Sequence, residues 1–185
     1  MKRDSIFIIF LKGAGMMLFG NILGGIMIFA AAPVLNEWFI PYIAVLLTVF
    51  IYGCLLFTAG WRDGQKEAKM LRNHRVESIP KYRWIWLGLA LAAVMCIPCG
   101  LMLLGSLGIL DLPGEFLFAF RFICGAVAPG MYIAGLQAVP VSEYPMIFPL
   151  ALMGAYAVIT PASAQLGYKF GIDEKNFKDF MYEKK

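Results

Sequence analysis

The sequence predicts an all-α fold: a polytopic helical membrane protein with four transmembrane helices plus an outer-face apolar helix that is interfacial or re-entrant. Of the 185 residues, 61% are hydrophobic and 15% charged, whereas soluble domains have about 45–50% apolar and about 25% charged residues. Uncharged runs of about 20 residues, long enough to cross roughly 30 Å of hydrocarbon, recur along the chain. Basic residues are concentrated between and after these runs, which sets the expected topology.

Four apolar runs are the predicted spans of one membrane domain that covers residues 1–185. They lie at residues 13–32, 39–59, 84–105 and 146–166. Residues 5–11 are also apolar but end at Lys12, which favours a separate interfacial lead-in helix with its lysine reaching the headgroups. The apolar stretch is longer than the h-region of a signal peptide, so we expect the first span to be retained.

A basic segment, residues 60–83, is the longest polar interruption and is predicted to be a cytoplasmic loop. Its middle part has a helix-forming composition and is expected to lie along the inner surface as far as Pro80. Basic residues placed beside apolar spans argue against nucleic-acid binding, which needs them spread over a folded surface. The candidate contacts for anionic lipid headgroups or a cytoplasmic partner are Arg62, Lys66, Lys69, Arg72 and Arg75.

Residues 117–136 form a further apolar stretch, interrupted by Arg121 and a proline, that either spans the membrane or lies at the outer face. With four spans and both termini cytoplasmic, 15 of the 16 basic residues fall on the inner side. With five spans, the lysines of the tail at residues 167–185 would face outward, against the positive-inside rule. Four spans are therefore predicted. Arg121 is expected at the outer interface, with Asp111 or Glu115 as a partner if it is buried.

Helix packing is predicted at Gly20-Asn-Ile-Leu-Gly24 in the first span. Two glycines one turn apart let the backbone of a second helix approach closely. Asn21 lies within this motif and can form a hydrogen bond across the contact. The contact is either packing inside the bundle or the seam of a homodimer.

Cys96-Ile-Pro-Cys99 is the one pattern in the sequence that also occurs in catalytic sites. Quinone-linked thiol oxidoreductases built on four-helix membrane bundles carry such a pair, usually with a second relay pair. Here an apolar site disfavours the thiolate, and Cys54 and Cys124 are not placed as a relay pair. Structural cysteines are therefore favoured over a redox site. His74 is the only histidine, so no metal site and no cofactor are predicted.

Two short patterns carry a family resemblance. Gly60-x-x-x-Gly64 precedes the basic loop with Tyr82, and Leu166-Gly-Tyr-Lys-Phe-Gly171 precedes a lysine-ended tail. Together they resemble a loose group of multi-span membrane proteins of Firmicutes-type bacteria. The resemblance implies a location in the bacterial plasma membrane and carries no activity with it.

The predicted function is non-enzymatic: a small integral membrane protein that acts as an accessory or assembly partner, or as a homo-oligomer. A small-solute transporter or channel component is one alternative, because Pro149 and Pro161 could break the last span and expose carbonyl groups to a substrate. However, the four spans contain no Asp, Glu, Arg or His that would couple transport to an ion. A thiol oxidoreductase that uses Cys96 and Cys99 is the other alternative.

Overall fold

The computed structural model describes residues 4–35 and 37–173, and all regular structure within them is helical. The helices are α1 (Ile6–Ala31), α2 (Ile40–Arg72), α3 (Arg83–Ser106), α4 (Gly114–Ile123), α5 (Gly130–Ile133) and α6 (Ile147–Ile172), with a 3₁₀ turn at Val141–Glu143. Four of them, α1, α2, α3 and α6, are long and apolar enough to cross a membrane. The predicted all-α architecture with four spans is therefore confirmed.

The first helix begins earlier than the predicted span. Ser5 caps α1, since its hydroxyl oxygen accepts a hydrogen bond from the backbone N–H of Ile8 at 3.3 Å. The expected separate lead-in helix does not exist, because residues 5–11 are the cap and first turns of α1. Gly13 does not interrupt the helix. It packs against Trp84 and Leu91 of α3, where its small size is needed.

The second helix is longer than its predicted span, which ended at residue 59. Its 33 residues correspond to about 50 Å, so α2 extends well beyond roughly 30 Å of hydrocarbon. Residues 60–72 thus continue α2 and do not form a separate surface helix. The helix ends where His74 adopts a positive φ of 52°. The N–H groups of His74 and Arg75 then bond back to the carbonyls of Leu71 and Met70, both at 3.0 Å.

Helices α2 and α6 run parallel and touch through their backbones. A Cβ atom on Gly60 would lie 2.1 Å from the carbonyl oxygen of Ala164, and one on Gly167 would lie 2.0 Å from that of Phe57. Gly64 and Gly171 repeat the arrangement one turn further along. Paired glycines four residues apart remove side chains from the contact, so the two helices approach closely. These four glycines and their neighbours are called the α2/α6 seam below.

Helix α6 is continuous through both of its prolines, so the break that Pro149 and Pro161 could have caused does not occur. Pro149 lies in the first turn, where a helix needs no N–H donor. Pro161 packs against Gly88 of α3, on which a Cβ atom would lie 2.4 Å from the Cα of the proline. The proline is therefore held in a close helix contact.

The two ends of the bundle differ in charge. Helices α1 and α3 begin, and α2 and α6 end, at the side that carries residues 60–83, called here the basic end. The connections at residues 32–39 and 107–146 lie at the other side, called the re-entrant end. Between the ends, large apolar side chains cover the outer surface, as contact with lipid requires. Among the most exposed are Phe19, Phe50, Ile97 and Val158.

Candidate functional site: the re-entrant turn and the basic cleft

Residues 117–136 do not cross the membrane but dip into the bundle and return. Helix α4 has only 10 residues and α5 a single turn, and residues 124–129 form a turn between them. This re-entrant turn is buried among the spans, since Cys124, Ala126 and Ala128 have 0%, 1% and 0% exposure. It contacts Asn21, which lies ten residues, or about 15 Å, from the end of α1. The turn therefore reaches towards the middle of the bundle.

Two spans hold the re-entrant turn by the backbone of a single residue. The N–H group of Ala126 donates to Oδ1 of Asn21 at 3.1 Å, and its carbonyl oxygen accepts from the hydroxyl of Thr48 at 2.8 Å. Non-helical backbone at membrane depth is tolerated only where protein groups satisfy it. Asn21 of α1 and Thr48 of α2 supply these groups from opposite sides of the turn.

Asn21 is also the junction between the turn and the last span. Its Oδ1 accepts a second hydrogen bond from the hydroxyl of Tyr156 at 2.7 Å, and its Nδ2 donates to the carbonyl of Met17 at 3.0 Å. The side chain has no exposed surface. One amide thus joins α1, the re-entrant turn and α6.

The glycines of the predicted packing motif lie in contacts within the chain. A Cβ atom on Gly24 would lie 2.6 Å from the carbonyl oxygen of Gly125 in the re-entrant turn, and one on Gly20 would lie 3.2 Å from the ring of Tyr52. Conversely, a Cβ atom on Gly125 would lie 1.9 Å from the carbonyl oxygen of Asn21. Both motif glycines therefore face their own chain, so this face is not open to a second copy.

A second hydrogen-bonded pair lies beside Asn21. The hydroxyls of Tyr52 and Thr160 are 2.9 Å apart, and the Tyr52 ring meets the Tyr156 ring edge-on with centroids 5.7 Å apart. We call Asn21, Thr48, Tyr52, Tyr156 and Thr160 the interior polar cluster. The sequence shows that these polar residues occur in spans, but their pairing follows only from the helix arrangement.

Cys96 and Cys99 lie three residues apart on α3, and the structure gives Cys99 a further cysteine neighbour. Cys96 is half-buried, whereas Cys99 has no exposed surface. Cys124 of the re-entrant turn lies within interaction range of both Cys99 and Tyr156. All four cysteines are present as free thiols. The approach of Cys124 to Cys99 was missed, because sequence spacing does not indicate that residues 117–136 fold back into the bundle.

Arg121 lies at the re-entrant end and is half-buried. Its Nη2 donates to the carbonyl oxygen of Gln137 at 2.9 Å, and its guanidinium carbon lies 6.0 Å from the centre of the Tyr132 ring. Within residues 4–35 and 37–173, no acidic side chain forms a salt bridge with it. The pairing with Asp111 or Glu115, expected only for a buried Arg121, is not formed among these residues, and a backbone carbonyl of the same connection is the partner of this half-buried side chain.

A layer of charged side chains joins three helices at the basic end. Nη1 of Arg83 lies 2.7 Å from Glu67 and 3.9 Å from Asp63. The indole N–H of Trp84 donates to Asp63 at 2.9 Å. Lys66 and Lys12 both donate to the carboxylate of Asp4. The hydrogen bond from Lys66 and then that from Lys12 lower the pKa of Asp4 below its ordinary value.

A cleft of about 530 Å³ opens between α1 and α2 in this charged layer. We call it the basic cleft. It is lined by four cations, Lys12, Arg62, Lys66 and Lys69, together with Asp4 and Asp63.

Three of the five predicted contact residues, Arg62, Lys66 and Lys69, line the basic cleft. Arg72 is the exposed last residue of α2, and Arg75 is exposed in the turn that follows the helix. Lys12 was missed as a member of the cleft because it comes from another helix. His74 is exposed. In the part of the chain that the structure describes, no group of three His, Cys, Asp or Glu residues is placed to hold a metal ion.

Comparison of the chain with protein-family models, with curated proteins and with solved structures finds no match.

Proposed function

We propose that this integral membrane protein is a non-enzymatic component of the bacterial plasma membrane that acts as an accessory or assembly partner, or as a homo-oligomer. One observation carries the proposal: the polar groups of the interior bond to one another and to the re-entrant turn. Both functional groups of the Asn21 amide are used in this way. The polar groups of the interior therefore stabilise the fold around the re-entrant turn, and contacts with partners are made from the surface.

The surface offers two kinds of contact. The exposed apolar faces of the spans fit lipid or the spans of another membrane protein. The basic end fits anionic headgroups, because each Lys or Arg near an anionic surface contributes about 1 kcal/mol of attraction. With this end in the cytoplasm, as the positive-inside rule requires, both termini are cytoplasmic.

The test is crosslinking inside the native membrane. A photoreactive amino acid at Phe19 or Ile97, two exposed positions on α1 and α3, is activated in cells that express the full chain. We expect one adduct of defined mass, either twice the 20.6 kDa of the chain or the mass of the chain plus that of one specific partner. A monomer at every exposed position would overturn the assembly role.

Solute transport is the second candidate, and the interior polar cluster beside a re-entrant turn is the observation that favours it. Re-entrant and broken segments line substrate sites in many transporters. The discriminating measurement is solute flux into vesicles that contain the purified protein. A flux that Tyr52→Phe abolishes, without loss of folded protein, would replace the assembly proposal with transport.

A further inference from the structure

We infer that the basic cleft is a specific binding site for the phosphate of an anionic phospholipid. The inference rests on the membrane location of the chain and not on the proposed assembly role. Lipid binding is measured on the purified chain without a partner, so the lipid site can be refuted while the assembly role stands, and the assembly role can be refuted while the lipid site stands.

The first step is the alignment of the cations. Arg62, Lys66 and Lys69 are spaced by four and three residues along α2, and side chains at these spacings share one helix face. Lys12 of α1 lies on the facing wall of the cleft. Four cations from two helices therefore converge on one cleft.

The second step concerns the negative charges of the two acids that line the cleft, Asp4 and Asp63. Asp4 accepts hydrogen bonds from Lys12 and Lys66. Asp63 accepts one from Trp84 and faces Arg83. The charge of Asp4 is therefore offset by its two lysines, whereas Asp63 shares Arg83 with Glu67. The four cations of the cleft still exceed its two acids by two charges.

Two cations of the cleft remain available. Among the residues that the structure describes, neither Arg62 nor Lys69 forms an ion pair, and both are exposed. They lie on the same face of α2, seven residues apart, on either side of Lys66. An anion bound between them would meet an arginine, whose planar fork matches phosphate, and a lysine, whose ammonium acts as a point charge.

The third step identifies the anion as part of a lipid. The wall towards the middle of the membrane is formed by Met16, one turn beyond Lys12 on α1, and by Ala59, which precedes Arg62 on α2. Trp61, 40% exposed beside Arg62, marks the depth at which aromatic side chains meet the headgroups. The cleft therefore changes from apolar to cationic at the level where a phospholipid changes from acyl chain to phosphate. A soluble anion would gain nothing from the apolar wall.

The experiment measures lipid binding to the purified full chain by native mass spectrometry, with phosphatidylglycerol and phosphatidylcholine as probes. We expect phosphatidylglycerol to bind preferentially to the wild type. The double variant Arg62→Gln/Lys69→Gln should bind it on the order of tenfold more weakly, because two charges near the phosphate are lost. The charge-preserving variant Arg62→Lys/Lys69→Arg should retain most of the binding.

A matched control removes the same charge outside the cleft. Arg72→Gln/Lys81→Gln changes two exposed residues at the same end of the bundle, and we expect less than a twofold effect. Equal losses in the two double variants would show a diffuse surface effect and overturn the site. Equal binding of the two lipids would do the same. A thermal stabilisation by inorganic phosphate alone that requires Arg62 and Lys69 would instead assign the cleft to a soluble anion.

Discussion

At the scale of single residues, Asn21 links the re-entrant turn to α6 through hydrogen bonds of its side chain. Replacing it with leucine leaves the N–H of Ala126 and the hydroxyl of Tyr156 without their acceptor. A buried polar group that loses its partner costs about 1–3 kcal/mol. We expect Asn21→Leu to lower the free energy of unfolding in detergent by at least that amount, measured by steric trapping.

Two tyrosine variants calibrate this result. Tyr156→Phe removes one of the two hydrogen bonds that Oδ1 of Asn21 accepts, and membrane-protein hydrogen bonds of this kind contribute about 0.6–1.7 kcal/mol. Tyr42→Phe removes a hydroxyl from an exposed side chain of α2 and should have almost no effect. If Tyr156→Phe destabilised the protein more than Asn21→Leu, the central position of Asn21 would be refuted.

The ion pairs of Asp4 make part of the stability of the fold dependent on pH in the acidic range. Its pKa is lowered in the folded state, first by Lys66 and then by Lys12. The stabilisation is therefore complete above the ordinary value of 3.8 and is lost as the pH falls through the lower folded-state pKa. The difference in unfolding midpoint between wild type and Asp4→Asn should shrink between pH 6 and pH 3. A difference that stays constant over this range would contradict the ion pairing.

The sequence could single out Asn21, because an amide inside a glycine motif of a membrane span has few roles other than packing. It could not identify Tyr156 and Thr48 as the residues that complete the site. Tyr156 lies 135 positions away from Asn21, and only the arrangement of the helices brings the two together. The same limit explains why the sequence does not indicate that Cys124 lies close to Cys99.

At the scale of helices, the α2/α6 seam makes a sharp prediction. Gly167→Ala would place a methyl group 2.0 Å from the carbonyl oxygen of Phe57, so the two helices must separate. Overpacking of this kind costs about 1–3 kcal/mol or more. We expect a clear loss of thermal stability in detergent, measured by the temperature at which half of the protein aggregates.

Gly154→Ala in the same helix is the matched control. No atom lies within 4 Å of the position that its Cβ would take, and alanine is favoured over glycine in a helix by up to about 1 kcal/mol. This variant should be neutral or slightly more stable. A Gly167→Ala protein as stable as Gly154→Ala would show that the seam is not closely packed.

Helix existence was predictable, whereas helix ends were not. The lengths of the apolar runs located all four spans, because a helix must have about 20 apolar residues to cross the hydrocarbon of a bilayer. The extension of α2 past residue 59 follows from contacts with α6 at Gly60 and Gly64, which a composition-based boundary treats as interruptions. The start of α1 at Ile6 likewise depends on the Ser5 cap and the fit of Gly13 against α3.

At the scale of the whole molecule, the orientation in the membrane can be measured directly. Glu143 and Asp173 are exposed at opposite ends of the bundle. In a background in which the two cysteines with exposed surface, Cys54 and Cys96, are replaced by alanine, each position receives a single new cysteine. An impermeant maleimide applied to intact cells should label Glu143→Cys and leave Asp173→Cys unlabelled. The reverse pattern would invert the proposed topology.

The count of spans was predictable from charge, because the positive-inside rule favours a topology with the lysines of the tail and the basic segment on one side. The depth to which residues 117–136 enter the bundle was not predictable from charge. An interfacial helix and a re-entrant one have the same composition. Small residues such as Gly125 and Ala126 enter the bundle here only because Gly24, Asn21 and Thr48 leave space and hydrogen-bonding groups for them.

The link between Asn21 and Tyr156 has a consequence for biosynthesis. Asn21 leaves the ribosome with the first span, and Tyr156 emerges only with the last. Until then, the amide lacks one of its partners, and the re-entrant turn lacks the helix that closes over it. A nascent chain halted before residue 147 therefore has one hydrogen bond of the Asn21 amide still unmade. Completion of the fold coincides with the arrival of the final helix.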